Sequence, residues 1–461
     1  MADVATLPVP ARFPMLPALV LAMAGFLTQL DVTAVIVVLP GMAEALGFGV
    51  AGHAWTMDAY SLAFTGTLLA AGAVADRHGR RRVMLGGNLL FAAASLACGL
   101  AWDGPSLWAA RAVQGVAAAF VVTGGIALIA ATYPEAGSRA RAFALVGTVS
   151  GVAMAAGPTL GGLAGAHLGW RWVFLANLPA CALVAWGVPR LVAERRAAAA
   201  APLDPLGIGL LTAALALAVE SLLATDRSTI AIVGGFALAV ALAVAFARRE
   251  RRRPFPTLDP AIFAAPAVLA VGLLLAAMSV AYWAILVYLP VFMAAGIGWP
   301  AEAAGPALVV ATLPMLVLSP FGGRAVLRLG WRRLFALGLG LVAAGDLALA
   351  AAALFPPIAV GALFCGMACI GTGAALANPQ LSGAMVALVP ADRAGMASAV
   401  TVVMRQGAFA VGVAGLGTVL ARQVGSGFPL LFALAAAVAT LGVGTAIVLL
   451  PTAAGRASGD S

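Results

Sequence analysis

GAVADRHGRRR, residues Gly72–Arg82, has a weaker copy in GRAVLRLGWRR at Gly323–Arg333. Gly72, Arg77, Gly79 and Arg82 recur as Gly323, Arg328, Gly330 and Arg333, each 251 positions further on. Each segment separates two long apolar runs, so each reads as a short basic turn between helices, tightened by a glycine free of side-chain strain. Leu39-Pro40 and Leu289-Pro290 repeat at nearly the same interval, 250 positions. Two halves of parallel orientation are the economical explanation. The copies differ at one chemical point: Leu327 stands where the first has Asp76, so an acid-dependent latch is expected only in the first.

The runs between those turns set the fold class. Of 461 residues 63% are hydrophobic and 9% charged, well outside the composition of soluble domains. Fourteen apolar runs between residues 14 and 450 have roughly the 20-residue length a helix needs to cross a bilayer, without the alternation of barrel strands. The first run is too long for a cleavable signal and reads as a retained helix. An even number of crossings puts both termini on one side. All 26 basic residues are Arg. Most fall in loops on the face shared with the termini, including Arg12, Arg195, Arg196, Arg393 and Arg456; only Arg171, Arg227 and Arg422 fall on the other, and Arg111 and Arg405 lie within helices. Positive residues mark the cytoplasmic side, so both termini are expected inside the cell inner (cytoplasmic) membrane. The net charge of +9 thereby reflects orientation, and no nucleic-acid partner is implied. The expected organisation is a six-helix bundle over 14–193, linkers with two extra helices over 194–263, and a second six-helix bundle over 264–450.

Chemistry of other kinds finds no support. Cys98, Cys181, Cys365 and Cys369 fall in helices as small apolar residues. His53, His78 and His167 fall in loops or at helix ends without a nucleophile or phosphate-cradling loop beside them. No disulfide, metal or cofactor is expected, and an enzyme or ATP-driven pump is disfavoured.

Ionisable groups inside the runs are the functional candidates. QLDVTAVIVVLP (Gln29–Pro40) holds one carboxylate, Asp31. It lies ~13 Å from the outer end of the first helix, and Arg111 lies ~10 Å into the fourth, at 1.5 Å per residue. The matched depths predict a buried pair whose carboxyl gains or loses a proton with small movements, or meets a cationic substrate; a purely structural ion pair is the plainer alternative. Asp58, near the outer surface, either selects cations at the mouth or snorkels to water. Asp346, ~20 Å into the eleventh helix and beyond the midplane, is a candidate second acid. Glu220 in the inserted pair is a weaker one, since snorkelling near the outer leaflet explains it better than transport does. By residue type alone Arg405, mid-helix, could balance these acids or bind an anionic group; Gln114 and Gln406 are further polar groups at membrane depth. In the fifth helix Gly147, Gly151, Gly157, Gly161 and Gly162 strip side chains from much of one face, and Pro158 frees a carbonyl. Asp76 is placed to accept hydrogen bonds from a helix N-terminus or an arginine.

These residues carry a resemblance. Gly72-x-x-x-Asp76-Arg77-x-Gly79-Arg80-Arg81 resembles the signature loop of the major facilitator superfamily, LWAARAVQG (Leu107–Gly115) its helix-four motif, and GVAMAAGPTLGG (Gly151–Gly162) the helix-five motif of its antiporters. LDVT (Leu30–Thr33), WTMDAY (Trp55–Tyr60), WRWVFLANLP (Trp170–Pro179) and RQG (Arg405–Gly407) resemble its 14-helix drug:proton antiporter branch. The resemblance implies an all-α integral membrane protein of the major facilitator fold, with 14 transmembrane helices in two six-helix bundles plus two inserted helices. It implies that the basic loop latches and that the helix-five glycines pack on the opposite half, and for Arg405 in its RQG context it favours a structural or gating role. The expected function is a proton-coupled exporter of amphipathic drugs or antibiotics by alternating access, acting as a monomer on a small-molecule substrate and protons within a lipid bilayer. Cationic substrates are preferred because Asp31, Asp58, Glu220 and Asp346 outnumber Arg111 and Arg405 in the helices, with Tyr282, Trp283 and Phe292 available for stacking. A proton-linked transporter of one metabolite on the same fold is the main alternative; a membrane sensor or enzyme is less favoured.

Overall fold

The computed structural model describes residues 14–194, 204–224, 228–253, 260–389, 394–422 and 427–451. Arg12, Arg195, Arg196, Arg227, Arg393 and Arg456 lie outside the described residues. Among the described residues all regular structure is helical. The helices are α1 (Met15–Leu46), α2 (Val50–His78), α3 (Arg80–Gly99), α4 (Gly104–Thr132), α5 (Ala136–His167), α6 (Arg171–Leu191), α7 (Pro205–Leu223), α8 (Thr229–Arg251) and α9 (Pro266–Gly296). The next 54 residues, Ala301–Leu354, are helical on both sides of a break at Gly330 (φ 72°, ψ 163°), giving α10 (301–329) and α11 (331–354). α12 (Ala359–Ala387), α13 (Ala394–Arg422) and α14 (Gly427–Leu449) complete the chain.

Among the described residues twelve helices, counting the broken one once, are long and apolar enough to cross a membrane. Dividing that helix at Gly330 and adding α2, less apolar but 29 residues long, accounts for fourteen crossings. α2 needs less apolarity because most of its surface is covered by protein. The sequence repeat is a repeat of backbone geometry: Gly79 (φ 106°) and Gly330 (φ 72°) take the conformations closed to other residues at equivalent turns. The chain also has a conventional helix start at α4, where Asp103 accepts from Ser106 N at 2.8 Å in a reciprocal capping box.

The packing repeats as well. α4 lies between α2 and α3, and α12 between α10 and α11; α1 packs on α5 and α6 as α9 packs on α13 and α14. α1–α6 meet α9–α14 along three seams, α5 with α10, α2 with α13 and α1 with α9. α7 and α8 pair with each other outside this arrangement, and α7 lies over the α2–α13 seam, where Thr418 Oγ1 donates to the Leu222 carbonyl at 2.5 Å. The arginine-rich turns, with the start of α1 and the end of α14, share one face, here termed the basic face.

At that face Asp204, just before α7, closes the α7–α8 hairpin. Arg249 Nε and Nη2 donate to its carboxylate at 2.9 and 2.8 Å, and Arg253 Nη1 lies 2.9 Å away. Hydrogen bonds from Arg249 hold the Asp204 carboxyl well below the usual carboxylate range. A depressed folded value stabilises above the unfolded value of about 4 and is lost as pH falls below it. Asp204→Asn is therefore expected to speed amide exchange across α7 and α8 at pH 7, and acidification below about pH 4 to do the same to the wild type. Unchanged exchange in the variant would show that the clasp contributes nothing to hairpin stability.

Candidate functional site

A cavity of about 330 Å³ lies between the two sets of helices. Residues 21–32 of α1, 122–129 of α4 and 146–150 of α5 line it, together with Tyr60, Ser61 and Phe64 of α2, Trp283 of α9, and Arg405, Gln406 and Phe409 of α13. The lining parts of α1, α4 and α5 are the halves nearest the basic face, so the cavity opens that way. The opposite face is closed. There Gly162 of α5 and Gly305 of α10 bring backbones together so tightly that a Cβ on Gly305 would lie 2.5 Å from the Pro158 carbonyl and 3.0 Å from Gly162 Cα. Beside the α2–α13 seam the Tyr288 hydroxyl of α9 donates to the Val413 carbonyl of α13 at 2.5 Å, a bond within the second set of helices.

Behind the cavity wall, Asp31 and Arg111 form one network. Asp31 is 1% exposed and Arg111 0%. Arg111 Nη1 lies 2.5 Å from Asp31 Oδ2, while Gln114 Nε2 and Asn177 Nδ2 donate to Oδ1 at 2.8 and 2.9 Å. Arg111 also donates to the Thr56 carbonyl at 3.1 Å and to Gln114 Oε1 at 2.7 Å; Gln114 reaches Ser95 Oγ at 2.9 Å. Two charges withdrawn from water persist only with such pairing and added hydrogen bonds. Tyr60, whose ring lies 4.5 Å from the Arg111 guanidinium carbon, also lines the cavity and stands between the two. The depth match of Asp31 and Arg111 is thus realised as direct contact. Tyr60 and Asn177 lie within the WTMDAY and WRWVFLANLP motifs, where the sequence assigns neither an individual role, and Ser95 is not singled out, its only signal being a polar atom in an apolar run, a pattern many packing residues share.

The other acids sit elsewhere. Asp58 is fully buried with both oxygens unpartnered, in the neighbourhood of Tyr288, not at an open mouth or snorkelling. Closure of the α2–α13 seam removes it from water. Asp346 is likewise buried and unpartnered, beside the close crossing of α11 and α12 at Gly345 and Gly366. Glu220 is partly exposed on α7. None of these acids lines the cavity, so their majority over the arginines does not translate into a cation-attracting chamber. Tyr282 and Phe292 also lie outside it: Tyr282 donates to the Ala311 carbonyl at 3.0 Å, and the Phe292 ring centroid lies 5.1 and 5.2 Å from those of Phe428 and Phe432. Of the three aromatic candidates Trp283 alone faces the cavity, from a π-helical turn over Ser279–Ala284. Such turns shift a helix face by a fraction of a turn and concentrate at functional sites.

In the basic loop Asp76 accepts from Arg80 Nε at 2.9 Å, and Arg80 Nη1 reaches the Ala127 carbonyl at 3.3 Å. Glu194 accepts from Arg81 N and Arg82 N at 3.0 and 3.2 Å, a carboxylate at the N-terminus of α3. Arg77 is exposed and Gly72 packs near Thr123. These contacts stay within α1–α6, as expected when the basic face is open. In α5, Gly157 and Gly161 accommodate Thr33 and Ala34 of α1, whereas Gly151, Pro158 and Gly162 approach α10. The glycine face therefore serves both its own set of helices and the opposite one.

Residues 21–413 match the family model described as Major Facilitator Superfamily. The chain is 32% identical over 403 residues to "Multidrug resistance protein Stp" of Mycobacterium tuberculosis (strain CDC 1551 / Oshkosh), covering 86% of this chain and 74% of that protein. It is 31% identical over 411 residues to "Drug efflux pump JefA" of the same strain (88% and 80%). It is 39% identical over 249 residues to "Puromycin resistance protein pur8" of Streptomyces alboniger (53% and 49%). Among solved structures, a POT family transporter in complex with 5-aminolevulinic acid superposes with a TM-score of 0.70 at 15% identity, covering 93% of this chain and 94% of that chain, a likeness of fold.

Proposed function

Because this chain belongs to the Major Facilitator Superfamily, we propose that it is a proton-coupled antiporter exporting amphipathic drugs or antibiotics from the cytoplasm. The observation that carries the reading is the central cavity, open at the basic face and sealed opposite, with the Asp31–Arg111 pair one side chain behind its wall. The basic face is the cytoplasmic one by the positive-inside rule, so this conformation is the loading state and both termini are cytoplasmic. Several relatives bear names of drug resistance or efflux, which supports exporting over importing.

The cycle follows from differential contacts. Substrate enters from the basic face and settles between α1, α4, α5 and α13. α1–α6 and α9–α14 then rock as two bundles about the central site, parting the Gly162–Gly305 and α2–α13 seams while the basic face closes. On that closure Asp76 is free to exchange its Arg80 partner for one across the seam. Asp31 is the group that takes up and releases the proton: its carboxylate form is held by Arg111, Gln114 and Asn177, and disturbing Tyr60 alters those contacts. Transport of one substrate and one or more protons in opposite directions needs no cofactor and no second subunit; a monomer suffices.

Reconstitution tests the proposal. In proteoliposomes an imposed pH gradient is expected to drive accumulation of several chemically unrelated amphipathic compounds, and collapsing the gradient to stop it. Movement of one solute alone would favour the metabolite transporter, and gradient-independent exchange would remove proton coupling.

A further inference from the structure

The charge of the cavity points to the charge of its cargo. Of the residues that line it, Arg405 is the sole formally charged one. Its guanidinium has no ion-pair or hydrogen-bond partner among the described residues, although eleven residues of α13, or ~16 Å of helix, separate it from the basic end of that helix. Asp31 cannot compensate, because it is already bound to Arg111 at 2.5 Å and lies behind Tyr60. Asp58 and Asp346 are sealed in helix interfaces. The site consequently presents one uncompensated positive charge at membrane depth, where an unpaired ion is least tolerated.

We propose that Arg405 is the anion-binding group of the substrate site, and that the exported compounds carry a carboxylate or a similar single negative charge on an apolar body. The assignment rests on the exporter reading above and specifies its cargo. Guanidinium suits this task because its planar fork matches a carboxylate with two parallel hydrogen bonds. Gln406 on the same helix and Gln29 on α1 supply amide groups at the cavity wall, and Ser61 a hydroxyl, for the polar atoms flanking such a group. Trp283 and Phe409 offer flat apolar surface to the remainder. The volume of about 330 Å³ falls at the lower end of the range for small-molecule sites. An anion here makes the loaded cavity neutral. A cation would add like charge to Arg405 with no acid on the wall to receive it.

Three dyes on one xanthene scaffold provide the test: a carboxylate, its neutral methyl ester and a cationic amine. Binding to purified protein, read as quenching of tryptophan fluorescence, is measured separately from pH-driven uptake into proteoliposomes. The carboxylate is expected to bind most tightly. Arg405→Ala is expected to weaken its binding at least about tenfold, as loss of a charge-assisted hydrogen bond does, while ester binding changes little; Arg405→Lys is expected to retain part of the preference. Melting curves of both variants identify any that misfold, and a folded Arg405→Lys suffices if Arg405→Ala does not fold. Tighter binding of the amine or ester than of the carboxylate overturns the anion site and leaves export standing. Selective, Arg405-dependent carboxylate binding without pH-driven movement keeps the site and overturns the exporter reading.

Discussion

Asp31→Asn is expected to abolish pH-driven export while the protein still inserts and folds. The substitution keeps the size of the side chain and an oxygen for Gln114 and Asn177 to donate to, but it removes the charge that faces Arg111 across 2.5 Å. Breaking a buried pair by neutralising one member costs about 3–5 kcal/mol, because the other charge is left uncompensated. A lower melting temperature is therefore expected alongside the loss of transport, and Arg111→Ala should show both effects too. The two losses have different origins, and a double variant separates them. Asp31→Asn with Arg111→Gln removes both charges, so much of the stability returns, as it does when buried ion pairs are replaced together. Transport should not return, since no carboxyl remains behind Tyr60. Recovery of gradient-driven uptake in the double variant would reduce the pair to a structural one and move proton coupling to another acid, with Asp58 or Asp346 next in line.

Depth along the membrane was legible in the sequence; direction around each helix was not. Rise per residue alone places Asp31 and Arg111 at one level, and the even spacing of apolar runs with their basic turns counts the crossings. The repeat at Gly79 and Gly330 was readable because a positive φ demands glycine, so backbone geometry leaves a mark in composition. Azimuth leaves no such mark in a helix apolar on every side, because lipid and protein neighbours favour the same side chains. Asp58 therefore looked like a group at the outer mouth and Asp346 like a second acid at depth, yet both face helix interfaces. Tyr282 and Trp283 are adjacent in sequence and face different surroundings, in a π-helical turn that no propensity rule anticipates. The same blindness concealed Asn177, Ser95 and Tyr60, whose part in the Asp31 network depends on which way α6, α3 and α2 are rotated.

Gly305→Val is expected to prevent closure of the face opposite the basic one and to stop transport by holding the protein in its outward-open arrangement. Even a bare Cβ at Gly305 meets the Pro158 carbonyl at 2.5 Å and Gly162 Cα at 3.0 Å, both backbone atoms that cannot swing aside. Valine adds two methyl groups to that clash. The strain exists only where α5 and α10 touch, so it penalises the conformation described here and leaves an arrangement with the seam parted unaffected. Overpacking of this kind costs ~1–3 kcal/mol, which shifts a two-state equilibrium by about 5–150-fold. Spin labels on cysteines introduced at Leu168 and Ala295, both exposed at the closing face, should report a longer distance in Gly305→Val. Uptake should fall, and thiol reagents should reach cavity positions less readily from the basic face. Gly340→Val supplies the comparison, since a Cβ there meets nothing within 4 Å, and its distances and transport should match the parent. A Gly305→Val protein with the parent's short distance and full transport would mean that the seam yields without separating, and that alternation is governed elsewhere than at the α5–α10 contact.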